Sequence, residues 1–177
     1  MILDKRYFSN SDTVFLAQDI LGKMLVRTLK NGLISRHRIT ETEAYHGEDD
    51  KACHARFGKT ERNQIMYQEG GIWYVYLCYG IHWLLNIVTG EKDFPSAILI
   101  RGVTNISGPG RVTKQLQIDK TLNGAIADYR SGLWIEDDGF LHDKGSIIAT
   151  PRVGVDYAGE CALKPWRFIF TDKIRDK

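Results

Sequence analysis

Trp73-Tyr74-Val75-Tyr76-Leu77-Cys78-Tyr79-Gly80, running directly into Ile81-His82-Trp83-Leu84-Leu85-Asn86-Ile87-Val88, is the stretch that decides the fold. Both halves are rich in aromatic and branched residues and a glycine divides them. They read as two strands, 73–79 and 81–88, joined tightly at Gly80. Strand side chains alternate faces, so Tyr74 and Tyr76 share one face while Val75 and Leu77 turn towards the core. Tyr79 breaks that register beside the turn glycine, which puts its ring at a hairpin tip. Cys78, inside the apolar pattern, reads as a small core hydrophobe.

Outward from this hairpin the chain keeps a sheet-like rhythm. After the turn Thr89-Gly90-Glu91-Lys92-Asp93, residues 97–103 read as a further strand. Towards the N-terminus, 33–45 and 24–29 read as a strand pair around Asn31-Gly32, a type I′ turn signal. Ser11 or Asp12 caps a helix that runs to about Leu21, with Val14, Ala17 and Leu21 on one face and Gly22 as its stop. Residues 46–70 are polar and glycine-containing, a long loop or irregular helical turns, and loops of that length are usually functional or disordered. Ser107-Gly108-Pro109-Gly110 opens a helix carrying Arg111, Val112 and Leu116. Strands are expected again at 133–136, 146–150 and 166–170. The pattern predicts a mixed helix-and-sheet domain with mostly antiparallel pairing.

The 177 residues fit a single domain, 1–177, long enough to bury roughly 70% of the unfolded surface without a staple. Hydrophobic residues make up 43% and charged residues 26%, as in soluble globular proteins. The formal charge of +2 says little, but its distribution says more. Lys59, Arg62, Arg101, Arg111, Lys114 and Lys120, with Lys164 and Arg167, allow a basic face or a solvated mixed-charge surface. Cys53, Cys78 and Cys161 are odd in number, widely spaced and without a C-x-x-C. They point to a reducing compartment, away from a disulfide frame or a cysteine zinc site. The start Met1-Ile2-Leu3-Asp4-Lys5-Arg6 has no apolar leader core, and no run approaches the roughly 18 apolar residues of a membrane span. A cytoplasmic protein, associated with the nucleoid in a bacterium, is the expectation.

Polar chemistry gathers between Ile39 and Arg101. Along Ile39-Thr40-Glu41-Thr42-Glu43-Ala44-Tyr45, Glu41, Glu43 and Tyr45 share a face that would be costly to bury, so it should line a wet cleft. A carboxylate there can serve as general base on water; a solvent-facing strand end with ordinary acids is the alternative. The tyrosines suit stacking on a flat ligand or wedging between bases, and strands also favour tyrosine for packing alone. His46 and His54 near Glu43, Glu48, Asp49 and Asp50 invite a metal reading. H-E-x-x-H and paired His-x-His patterns are nevertheless absent. The helix N-terminus at Gly108-Pro109-Gly110, with cations beside it, is a competent anion site or an ordinary loop-to-helix junction.

In this order and spacing the motifs resemble the alkyladenine (3-methyladenine) DNA glycosylase family, the eukaryotic-type alkylpurine glycosylases that also occur in bacteria. The resemblance covers nearly the whole chain. It rests on Glu41-Thr42-Glu43-Ala44-Tyr45, His54, Arg62-Asn63, Tyr74-Val75-Tyr76 with Tyr79-Gly80, and Asn86. It continues through Arg101, Gly108-Pro109-Gly110, Gly154-Val155 and Lys164-Pro165-Trp166-Arg167-Phe168. The resemblance implies an α+β fold, a single compact domain around a curved antiparallel sheet with a protruding hairpin. It implies Glu43 as the catalytic base and Arg101 as the holder of the nucleophilic water. Tyr45, His54 and Tyr76 would sandwich and hydrogen-bond a flipped base, Asn86 would disfavour guanine, and Tyr79 would fill the gap in the duplex. Arg62, Asn63, Gly108, Gly110 and Arg111 would meet DNA.

The expected reaction is monofunctional hydrolytic release of alkylated or deaminated purines from duplex DNA (3-methyladenine, hypoxanthine, 7-methylguanine, ethenoadenine). No metal, organic cofactor or strand cleavage is expected, and a monomer suits the task. Thr60-Glu61 stands where the family usually has Thr-Pro, and Ala55 where serine is frequent. A carboxylate in a DNA-facing loop would repel phosphate. A non-catalytic nucleic-acid module, or a metal-dependent hydrolase using Glu43, His46 and His54, would use the same residues.

Overall fold

Alternation along the strands builds the molecule around one bent antiparallel sheet, seen in a computed structural model that describes residues 1–141 and 144–171. The elements are α1 (Lys5–Phe8), α2 (Thr13–Asp19), β1 (Met24–Thr28), β2 (Ile34–His46), β3 (Trp73–Cys78), β4 (His82–Val88), β5 (Ser96–Val103), β6 (Ile106–Ser107), α3 (Pro109–Gln115), β7 (Leu133–Glu136), β8 (Ile147–Thr150) and β9 (Arg167–Phe170). The strands run β3-β4-β5-β2-β1-β7 across the sheet, with β6 on β5 and the pair β8-β9 joined to β2. Every ladder among the described residues is antiparallel. This is the α+β class that the sequence predicts.

Helix starts obey their caps. The Asp12 carboxylate accepts the Phe15 N–H at 2.8 Å and starts α2. Asp4 does the same for α1, accepting from the N–H groups of Arg6 and Tyr7. The single turn of α1 is too short to leave a periodic signal, and the sequence reading misses it.

The two hairpins differ from one another. At Asn31-Gly32 only Gly32 has positive φ (81°). The Gly32 N–H donates to the Leu29 carbonyl and the Leu29 N–H to that of Leu33, both at 2.8 Å. The connection is therefore three residues long with a left-handed last position, and the expected two-residue type I′ turn is corrected. That turn type occurs at Tyr79-Gly80 instead, where φ is 50° and 71° and the Ile81 N–H donates to the Cys78 carbonyl at 3.0 Å.

β2 organises the rest. Its first half pairs with β1 and its second half with β5 on one edge and β9 on the other. Two register shifts interrupt its ladder with β5, where Ile39 faces Val103, Glu41 faces Gly102 and Thr42 faces Ile100. Thr40 on β2 and Arg101 on β5 are the extra residues. Bulges of this kind bend a sheet and re-aim side chains.

The two sheet faces differ in chemistry. Ala44, Trp73, Val75, Leu85, Ile87, Ile98 and Ile100 point one way and pack with Leu16 and Ala17 of α2 and its C-cap Ile20, and with Val112 of α3 and its C-cap Leu116. Thr42, on this face, donates its hydroxyl to the Ala17 carbonyl at 2.6 Å. The other face carries Glu43, Tyr45, Tyr74, Tyr76, Leu84, Asn86, Ala97, Leu99 and Arg101. Towards the hairpin tip the core ends, so Leu77 is exposed rather than turned into it. Cys78 is likewise half-buried and lines the cavity, which corrects its reading as a core residue.

Candidate active site

The pairing registers set one rung of side chains across five strands: Tyr74 opposite Asn86, Asn86 opposite Leu99, Leu99 opposite Glu43, Glu43 opposite Arg167. Because opposed residues share a face, most of this rung becomes the floor of a cavity of about 600 Å³. That size suits a small planar ligand. Loops 52–54 and 153–157 form one wall, and the tip of β3-β4 with the start of α3 forms the other.

Glu43 is fully buried, and both its oxygens are held. Oε1 accepts the Val153 N–H at 2.8 Å and Oε2 accepts the Tyr45 hydroxyl at 2.8 Å. Arg101 Nη1 lies 3.5 Å from Oε1. A carboxylate offers about four lone-pair sites, so room is left for a water. Burial, reinforced by Glu43, pushes the Tyr45 phenol well above its ordinary range, so it stays protonated and donates. Burial works against the Arg101 charge, yet the neighbouring Glu43 and Glu41 more than offset it and raise its pKa.

An aromatic wall stands beside the carboxylate. The His54 ring meets Tyr76 edge-on at 4.4 Å between centroids, and Tyr74 and Tyr76 lie 5.3 Å apart. His54 Nδ1 is 3.0 Å from the Tyr74 hydroxyl. Burial, then the charges of Arg62 and Arg56, lowers the His54 pKa to about 4, so the imidazole is neutral near pH 7. Burial raises the Tyr74 phenol, so that oxygen keeps its proton. A neutral His54 that accepts the Tyr74 hydroxyl proton at Nδ1 carries its own proton on Nε2, and in the opposite tautomer the hydroxyl oxygen accepts from Nδ1–H. Asn86 is buried, and its amide donates to the Tyr74 carbonyl at 3.1 Å.

Behind Tyr45 lies a buried ion pair. Arg152 donates to Asp50 at 2.6 and 2.7 Å, to the Ala44 carbonyl at 2.8 Å and to the Cys161 carbonyl at 3.0 Å. Its guanidinium sits 4.8 Å from the Tyr45 ring centre and 5.1 Å from that of Trp166. This anchors the loop whose next residue, Val153, donates to Glu43.

Among the residues singled out from sequence, Glu43, Tyr45, His54, Tyr76, Tyr79, Asn86, Arg101, Gly108, Gly110 and Arg111 all border this one cavity. Tyr79 is 91% exposed at the tip of the hairpin. Gly110 lies tight on β4, since a Cβ there would fall 2.9 Å from His82 Cγ. Arg62 lies outside the cavity lining; it is exposed, and its Nη2 donates to the Leu77 carbonyl at 3.0 Å. Asn63 is not at the surface. It is 2% exposed, donates to the His54 and Gly58 carbonyls at 3.0 Å and accepts the Thr60 N–H at 2.7 Å. Its side chain thus clamps the 54–63 loop from within.

Ala55 is wholly buried against Met66 and Tyr67, an apolar place that suits alanine. Glu61 is exposed. His46 turns to the opposite face, its Nδ1 3.1 Å from the Thr13 hydroxyl, so Glu43, His46 and His54 do not converge. Tyr74, which the sequence sets on one face with Tyr76 as a stacking ring without assigning it to the pocket, lines the cavity as well. Val153 went unforeseen. Val153 acts through its backbone N–H, which leaves no mark on residue identity.

The sequence matches the family model described as methylpurine-DNA glycosylase over residues 7–107 and 103–174. A protein of Methanocella arvoryzae is 43% identical, with 92% of this chain and 90% of the relative aligned. One of Psychrobacter cryohalolentis is 42% identical over 90% and 88% of the two chains. One of Chlamydia pneumoniae is 39% identical over 99% and 98%. All three carry names that give them as inferred 3-methyladenine DNA glycosylases.

Proposed function

The chain belongs to the methylpurine-DNA glycosylase family, hydrolases that act on N-glycosidic bonds, and on that premise we propose that it releases damaged purines from duplex DNA without cutting the strand. The single observation that carries this reading is the buried Glu43 carboxylate, held at both oxygens, beside Arg101 and facing an aromatic cavity of purine-accommodating size. The target nucleotide leaves the helix and its base enters that cavity, at a cost of a few kcal/mol that is least for damaged or mispaired bases. Tyr45 on one side and His54 with Tyr76 on the other sandwich the ring. The Nε2–H of neutral His54 donates to a purine acceptor. Asn86, fixed by its bond to the Tyr74 carbonyl, crowds an exocyclic amine such as that of guanine.

A cationic or protonated purine is the better leaving group, and its departure leaves an oxocarbenium-like sugar. The Glu43 carboxylate stabilises that positive charge and takes a proton from the attacking water, which Arg101 helps to hold. Tyr79, exposed at the tip, fills the space vacated in the stack. The substrates we propose are 3-methyladenine and hypoxanthine, with 7-methylguanine and ethenoadenine as further members. The protein acts as a monomer of one domain with no metal or organic cofactor.

The test is incubation with a panel of single-lesion duplexes in EDTA, followed by assay of free base and of alkali-revealed abasic sites. Glu43→Gln is expected to retain lesion-DNA binding and lose base release. Undiminished release by this variant would remove Glu43 from the chemistry.

A further inference from the structure

Glu41 shares a strand face with Glu43, yet its surroundings differ. Its Oε1 accepts from two guanidinium groups at once, Arg101 Nε at 2.8 Å and Arg167 Nε at 2.7 Å. The residue is only 8% exposed. One anionic oxygen therefore separates two cations, one of which borders the cavity. A neighbour makes room for it. Gly102 stands opposite Glu41 in the ladder, and a Cβ there would come within 3.1 Å of Glu41 Cβ and 3.5 Å of its Oε2. The bulge at Arg101 and the missing side chain at Gly102 together let the Glu41 carboxylate reach the Arg101 Nε.

We propose that Glu41 is a positioning residue for Arg101: it holds the guanidinium by Nε and so stops it from closing as a two-pronged pair on Glu43. The proposal rests on the glycosylase reading of this site. An arginine beside a single carboxylate favours the bidentate arrangement, with bonds of about 2.7–2.9 Å. Here Nη1 stays 3.5 Å from Glu43 Oε1. Tied at Nε, the fork faces the cavity, and Glu43 keeps lone pairs for water. Without the Glu41 charge, Arg101 and Arg167 lose their shared anion and repel. Arg101 then swings onto Glu43 and occupies the oxygens that the water needs.

The experiment is a cycle of Glu41→Gln, Arg101→Ala and the double variant. Single-turnover release of base is measured from dimethyl-sulfate-methylated duplex DNA, and affinity from a duplex carrying a tetrahydrofuran abasic mimic. Glu41→Gln is expected to lower the rate about 10–100-fold, the scale of an ångström-level misplacement, with affinity unchanged. In the Arg101→Ala background it should lower the rate no further. Glu41→Asp keeps the anion between the two arginines, and hence the fold, but withdraws the oxygen by one methylene. It should give an intermediate rate that also vanishes as an effect once Arg101 is alanine. A wild-type rate in Glu41→Gln, or effects that multiply in the double variant, would overturn the proposal. Absence of release by the wild-type protein would instead count against the glycosylase reading.

Discussion

Asp50→Asn should unfold this protein at a markedly lower temperature, although the change replaces one oxygen by an amide. The Asp50 and Arg152 side chains are both wholly buried and bonded twice, at 2.6 and 2.7 Å. The same guanidinium also satisfies the carbonyls of Ala44 and Cys161. Removing the carboxylate charge leaves an uncompensated cation in the interior, which costs about 3–5 kcal/mol. At about 2–4 °C per kcal/mol for a domain of this size, the midpoint should fall by roughly 6–20 °C. Calorimetry at neutral pH measures this directly. Replacing both partners with apolar residues should not restore stability, because the two carbonyls would lose their donor. The same variant should slow base release, since the loop that offers the Val153 N–H to Glu43 is anchored through Arg152. A midpoint within a degree or two of wild type would refute the reasoning and make the pair a solvated one.

Titration of His54 gives a second prediction. Between its folded value of about 4 and the ordinary 6.5, the unfolded chain binds a proton that the folded chain refuses. Stability therefore rises with pH through that window, by on the order of 2–3 kcal/mol once the open side of the ring is allowed for. His54→Gln should flatten denaturant-measured stability between pH 4 and 6.5, and an unaltered slope would place the proton elsewhere. Tyr79→Asn should stabilise the fold by about 0.5–1 kcal/mol, because asparagine tolerates the left-handed region better and the exposed ring packs against little. The same change should weaken lesion-DNA binding in a titration; unchanged affinity would remove the ring from the DNA contact. Gly70→Ala should lower stability by about 2 kcal/mol or more, since the new methyl would lie 2.2 Å from the Phe8 backbone oxygen. A neutral result in urea unfolding would show that the 69–71 turn shifts freely.

Strand periodicity made most of the sheet legible, because each strand buries one face and period two leaves a plain mark. Tyr74 and Tyr76 could be set on one side from Val75 for that reason. Glu43 and Tyr45 could be set apart from Thr42 and Ala44 in the same way. Turn chemistry was less readable. Asn31-Gly32 has the composition of a two-residue turn but forms a longer one. Tyr79-Gly80 takes the two-residue geometry with a tyrosine that no propensity would place at positive φ. The inward turn of the Asn63 side chain was not legible, because a buried amide that satisfies carbonyls looks, in sequence, like a surface amide beside an arginine. The bulges at Thr40 and Arg101 were invisible, since a one-residue slip depends on both strands of the ladder. The Arg152–Asp50 pair, 102 positions apart, leaves no local signal at all.

Tyr76 and Tyr79 stand three positions apart on one hairpin, one in the aromatic wall of the cavity and one at the tip. An unbroken ladder from Trp73–Ile87 to Cys78–His82 carries Tyr76 and stops one residue short of Tyr79, which sits on the turn. The β3-β4 hairpin is thus a paired arm with its last mark on the bend. In the proposed reaction, a nucleotide whose place in the stack Tyr79 takes has to pass along this arm to reach Glu43. Part of the choice among bases then falls to the duplex, through how readily each one gives way.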